Sequence, residues 1–389
     1  MSHRWQTRSF RGPRLARYLA AVVVAIVATA TAGVAVGQSA GLEIAPAHAA
    51  TAAAQPGAPA TSTAPRATAA LSSGVQVFGM WRDWATHDAL LDKVAASGTT
   101  WIRLDVAWCS LEEAGNGVIS AWYQSRLDTM IAAARARRLQ VLMTVLCTPS
   151  WAGPNGLRLP TNTAQFTQVT TYLARRYAGQ VGAFELWNEP DCQDVGCPNG
   201  DPTAYVAVLK AGYRGIKAGN PAAIVVSGGI SGINIDWLRR MYAAGAHGYF
   251  DVLGVHPYLD PANGAPSTPA VPGYTNPYRF PNVVAAHALM ASYGDGGKSI
   301  WFTEFGWTTG RTAGAHDGVT PSTQAGYLTA AYTMVAANYP YVGRMFWYML
   351  RDRDDSSTYE DGFGLLTVAG APKPSYLAFT SVNAWLAAR

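Results

Sequence analysis

Two apolar stretches of this chain end in a glutamate: Glu189 in Phe184-Glu185-Leu186-Trp187-Asn188-Glu189-Pro190, and Glu304 in Trp301-Phe302-Thr303-Glu304-Phe305-Gly306-Trp307. An unpaired carboxylate is costly among aromatic and apolar neighbours. The bland reading, two surface residues that merely follow strands, therefore fits these surroundings poorly. Two carboxylates at the ends of separate strands are what cleavage of a glycosidic bond requires. One protonates the leaving oxygen, and the other attacks the sugar carbon from the opposite face.

The elements that must position them alternate along the chain. Short β-branched and apolar runs at Val75–Met80, Trp101–Trp108, Gln140–Cys147, Ala183–Glu189, Ala223–Gly229, Val252–Tyr258, Ser299–Trp307 and Arg344–Leu350 read as strands. Between them lie helical patterns such as Gln124–Arg138, with Leu127, Ile131 and Ala134 on one face. Eight such units predict a (β/α)8 TIM barrel of the α/β class, whose active site lies at the C-terminal ends of the strands. In the second strand Ile102, Leu104 and Val106 alternate with Arg103, Asp105 and Ala107. The apolar set should face the helices, which sends Arg103 and Asp105 inward, where a charge needs a partner such as Glu185.

The ends of the 389-residue chain differ in composition. Arg4, Arg8, Arg11, Arg14 and Arg17 precede an apolar run from Tyr18 to Val36, and Ala47-His48-Ala49 is a pattern that a signal peptidase cuts. Residues 1–49 are expected to be a signal peptide, with an uncleaved membrane tether as the alternative. Residues 50–72, rich in Ala, Thr and Pro, are expected to be a disordered linker, and 73–389 the catalytic barrel. Six arginines and one glutamate in residues 1–70 account for the whole formal charge of +5. The basicity belongs to the leader and gives no argument for nucleic acid.

Cys109, Cys147, Cys192 and Cys197 suit an oxidising compartment, in which three connectivities are open. Cys192 and Cys197 bracket a short loop, while Cys109 and Cys147 each end a strand, so pairing within these couples is geometrically simplest. A zinc site is the rival reading, weakened by the lack of a neighbouring histidine. No phosphate-binding glycine loop, His-Glu-x-x-His or calcium loop is present, so no cofactor and no metal are expected.

Asn188-Glu189-Pro190, His256-Pro257-Tyr258 and Thr303-Glu304-Phe305-Gly306, each at a strand end, together resemble clan A of the retaining glycoside hydrolases. Trp101-Ile102-Arg103-Leu104-Asp105 and Thr148-Pro149-Ser150-Trp151-Ala152 add likeness to the family 39 and family 5 branches, among secreted bacterial enzymes that cut matrix or cell-wall polysaccharides. The resemblance runs from about 74 to 386. It implies Glu189 as general acid/base, Glu304 as nucleophile, and Arg103 and Tyr258 as groups that hold Glu304. It further implies Asn188 as donor to the sugar 2-hydroxyl, His256 as part of the network around the pair, and Trp347 on the eighth strand as the sugar-stacking residue. Arg103, His256 and Tyr258 each also have a purely structural reading.

Thirteen tryptophans are present, and Trp81, Trp108, Trp151, Trp187, Trp307 and Trp347 fall near the expected rim. Any one of these other than Trp347 is expected to pack rather than bind. Asp352, Asp354 and Asp355 beside Arg351 and Arg353 read as a self-paired loop. The function expected is that of an exported, monomeric hydrolase acting on a β-linked polysaccharide or oligosaccharide by internal cleavage. A transglycosylase and a non-catalytic carbohydrate-binding barrel are the alternatives.

Overall fold

The structure is a computed structural model that describes residues 70–192, 200–310, 318–353 and 359–389. Eight parallel strands close into a barrel in sequence order: β1 (Ser72–Val77), β2 (Trp101–Ala107), β3 (Gln140–Leu146), β4 (Ala183–Asn188), β5 (Ile224–Ser231), β6 (Val252–His256), β7 (Ser299–Phe305) and β8 (Val342–Trp347). Each leads to one of the longer helices, α1 (His87–Ala96), α2 (Ala121–Ala136), α3 (Thr163–Arg176), α4 (Pro202–Gly219), α5 (Ile235–Ala243), α6 (Val283–Ser292), α7 (Pro321–Asn338) and α8 (Pro374–Ala387). All eight expected strands are present, so the fold read from the alternation stands.

Helix starts are set by local chemistry. Side-chain oxygens of Ser120, Asn162, Asp201, Asn234 and Thr320 accept backbone N–H groups in the first turns of α2, α3, α4, α5 and α7. Each such cap is worth about 1 kcal/mol. Pro202 and Pro321 open two of these helices, where the missing N–H leaves nothing unpaired.

The period-two alternation sorts side chains into two cores. Ile102, Leu104 and Val106 join helix residues such as Leu127, Ile131 and Ala134 in the outer layer. Inside the barrel, Trp101, Leu142, Ala183, Val226, Val252, Trp301 and Phe346 form a separate apolar floor. Above it lies a buried polar layer of Gln76, Arg103, Thr144, Glu185 and Thr303. The register Arg103↔Leu142, Asp105↔Thr144 and Thr144↔Glu185 aligns that layer across β2, β3 and β4.

Cys109 and Cys147 form a disulfide with Cα atoms 5.3 Å apart, joining the C-terminal ends of β2 and β3 as expected. The Cys192–Cys197 pairing lies outside the described residues, because Cys197 does. The leader and linker lie outside them as well. Among the described residues no helix is long and apolar enough to cross a membrane.

Candidate active site

Arg103 is the hub of the barrel mouth. It is fully buried, and every arm of its guanidinium is in use. Nε donates to Glu185 at 2.7 Å, Nη1 to Gln76 at 2.8 Å and to Glu304 at 2.6 Å, and Nη2 to the amide oxygen of Asn188 at 2.7 Å. Burial alone would disfavour its charge, but Glu185 and Glu304 outweigh that and hold it above the ordinary arginine range. Glu185 is in turn satisfied by Thr144 at 2.7 Å and by the backbone N–H of Gly229 at 3.1 Å. A buried charge persists only with such complete pairing. Arg103 therefore orients other groups of the mouth, Glu304 among them, and with no exposed surface it does not itself touch a substrate.

The two glutamates stand in different settings. Glu304 accepts from Arg103 through one oxygen and from the Tyr258 hydroxyl at 2.9 Å through the other. Among the described residues Glu189 has only the ring of His256, Nδ1 to Oε1 at 3.0 Å. Burial pushes both carboxyls up. For Glu189 the negative charges of Glu304 and Asp191 push further, whereas Arg103 and Tyr258 pull Glu304 back down. Two neighbouring carboxyls whose surroundings separate them this way are an acid and a carboxylate.

His256 is fully buried, and burial together with the positive charge of Arg103 lowers its pKa to about 3. It is therefore a neutral ring that bridges Glu189 to the Thr303 hydroxyl, with Nε2 at 3.1 Å from Oγ1. Gly229 makes room for it, since a Cβ there would lie 2.2 Å from Nε2. Tyr258 is kept protonated by burial and by the adjacent Glu304, and so remains a donor. With the oxygen of Asn188 held by Arg103, its amide N–H groups are the end left for a ligand.

Backbone geometry finishes the aim. Trp187 and Glu189 both have positive φ, 84° and 43°. Such residues break the strand's alternation, so Asn188 and Glu189 can both serve the mouth. One oxygen or nitrogen each from Glu189, His256 and Glu304 lie within 4.8 Å of one another. That spacing could suit a metal ion, but Arg103, Tyr258 and the Glu189–His256 hydrogen bond already use these atoms. The grouping is better matched to moving a proton.

The structure brings Arg103, Asn188, Glu189, His256, Tyr258 and Glu304 together. Trp347 is a correction. It is fully buried, its indole N–H donates to the carbonyl of Phe363 at 2.9 Å, and Phe305 and Trp307 pack on it at 5.4 and 6.1 Å. No face of it is open to a sugar, because it belongs to the outward set of β8. The next residue, Tyr348, turns inward instead and meets Tyr258 with ring centroids 6.4 Å apart. Trp108, Trp187 and Trp307 are buried, as expected of packing residues. Arg351 and Asp352 pair with Asp83 and Lys373, which ties these two residues after β8 to their neighbours. Asp354 and Asp355 lie outside the described residues.

Three further carboxyls border the mouth. Burial raises Asp105 to about 6, against the pull of Arg103, and raises Asp191 to about 7 and Glu360 to about 8. Folded-state pKa values above the unfolded ones stabilise the protein at low pH, and that stability is lost as pH rises through them. His256 acts in the opposite sense, with its contribution lost as pH falls toward 3. Thermal unfolding temperature should therefore decline between about pH 5 and pH 8. Asp191→Asn, which keeps an acceptor for the Ser231 N–H now 2.9 Å from Oδ1, should flatten the decline. An unchanged slope in scanning calorimetry would reject the assignment.

Residues 65–349 match the family described as Cellulase (glycosyl hydrolase family 5). No curated protein matches the chain. Among solved structures, a family 39 glycoside hydrolase from the gut symbiont Bacteroides cellulosilyticus WH2 is 24% identical with a TM-score of 0.67, covering 82% of this chain and 64% of that one. GH5_18 from Streptomyces cattleya in complex with GlcNAc is 18% identical with a TM-score of 0.64, covering 82% and 81%. A GH39 enzyme from Xanthomonas axonopodis pv. citri is 20% identical with a TM-score of 0.60, covering 82% and 66%. At these identities the likeness is one of fold, and the chain spans only 64% of the Bacteroides protein.

Proposed function

This chain belongs to the cellulase family, glycosyl hydrolase family 5, and we propose that it is an exported enzyme that cleaves a β-linked polysaccharide or oligosaccharide internally, with net retention. The observation that carries this reading is the pair of carboxyls with opposite surroundings whose nearest atoms lie within 4.8 Å. Retaining enzymes place these groups about 5–5.5 Å apart, while inverting ones leave about 6.5–9.5 Å for a water.

In the first step an oxygen of Glu304 bonds to the anomeric carbon as the bond to the leaving oxygen breaks, and Glu189 gives its proton to that oxygen. Arg103 and Tyr258 keep Glu304 ionised and aimed before attack. Glu189, now a carboxylate beside neutral His256, takes a proton from water, which attacks the same carbon and frees Glu304. The Asn188 amide donates to the 2-hydroxyl, a contact that strengthens as the ring flattens. Export is supported by the leader and by the Cys109–Cys147 disulfide, since such bonds persist in oxidising compartments.

The test is a time-resolved NMR assay of the first product released by the purified protein, with product sizes followed on a polysaccharide panel. The β anomer should form first and equilibrate later. Initial formation of the α anomer would refute the double displacement.

A further inference from the structure

We propose that Trp122 and Trp81 form a sugar-stacking platform on the barrel rim, outside the catalytic mouth, which holds a pyranose unit of an extended glycan chain. This rests on the glycosidase reading above and adds a second point of contact to it. α2 starts at Ala121, after β2 has run toward its C-terminal end, so Trp122 in its first turn sits at the catalytic end of the barrel. Among the described residues Trp122 is the exposed tryptophan, at 52%.

Its setting is built. Arg126, one helical turn further along α2, lies with its guanidinium 4.4 Å from the Trp122 ring centroid and 4.3 Å from that of Trp84. The same guanidinium donates to the carbonyl of Met80 at 3.0 Å, which pins it to the segment after β1. One part of Trp122 is thus covered by a cation, and about half of its surface, 52%, is left exposed. Trp81 flanks it, with centroids 5.4 Å apart and planes inclined by 48°.

A buried contact ties the platform to the catalytic end of β2. Trp81 packs on Tyr123 at 5.9 Å, and the Tyr123 hydroxyl accepts the N–H of Ala107 at the end of β2, two residues beyond Asp105. An indole held from beneath loses little freedom on binding, and its open face matches the apolar C–H face of a pyranose. The Arg126 guanidinium against the indole already donates to the carbonyl of Met80, so the ligand class is a neutral sugar ring of a glycan chain whose further units reach the mouth.

Affinity electrophoresis tests this with full-length Glu304→Gln protein, which holds substrate without turnover, in gels containing hydroxyethyl cellulose, β-mannan, xylan or galactan. At least one polymer should retard it, and adding Trp122→Ala should weaken that retardation about tenfold, a factor equal to about 1.4 kcal/mol. Trp122→Tyr, which keeps a ring face, should restore most of it. Retardation by none of the polymers, or equal retardation with and without Trp122, overturns the platform. A Trp122→Ala change that alters sedimentation but not retardation assigns the face to a second copy of the chain and overturns it too. Hydrolysis of activated aryl glycosides by the native protein is measured separately, and its absence would fail the glycosidase reading itself.

Discussion

Glu304→Ala should lower turnover on the order of 10⁴-fold or more, and added azide should restore activity on an activated aryl glycoside. Losing a nucleophile removes the covalent route, not merely a contribution to it, which is why the loss exceeds that of a supporting group. The small anion enters the vacated space on the face of the sugar opposite the leaving group, and nothing then displaces it, so the rescued product should have inverted configuration. The variant should still fold, because Arg103 keeps Glu185 at 2.7 Å and Asn188 at 2.7 Å as partners. Rescue also answers that point directly, since an unfolded protein has no site for azide. Residual activity above about 1% with no azide effect would remove Glu304 from the nucleophile's role.

Glu189→Ala should behave differently, through its dependence on the leaving group. Substrates whose leaving oxygen must gain a proton should slow by about 10²–10⁴-fold, while dinitrophenyl glycosides, which depart as stable anions, should keep most of the first step. The alkaline limb of the kcat/KM profile, set by loss of the Glu189 proton, should vanish with the residue. The sign follows from burial and the charges of Glu304 and Asp191, which raise the Glu189 pKa and so extend the acid form toward higher pH. An alkaline limb that survives in Glu189→Ala would place the titrating acid elsewhere.

The barrel and its two glutamates were legible because they follow from local pattern. Alternation in β2 sends Arg103 inward beneath the mouth, and its partner Glu185 could be named from the fourth strand, across β3. What pattern could not show is where a strand stops alternating. Trp187 and Glu189 sit at positive φ, which a run of ordinary residue types does not announce. At β8 the same limit produced an error of one position, and a one-residue offset exchanges the two faces of a strand. Trp347 therefore went to the outer core and Tyr348 to the mouth. Asp191 and Glu360 went unmarked because their raised pKa values depend on loop burial, and Trp122 because an exposed tryptophan reads the same as any other letter in a helix.

The apolar floor of Trp101, Leu142, Ala183, Val226, Val252, Trp301 and Phe346 makes the barrel a vessel open at one end only. No sugar chain can thread through the axis, so a glycan can reach the two glutamates only from that opening. Substrate entry and product exit then share a single doorway, and each released fragment must clear it before the next chain can settle. Slow departure of a long fragment would throttle the enzyme as effectively as a weak acid or a misplaced nucleophile.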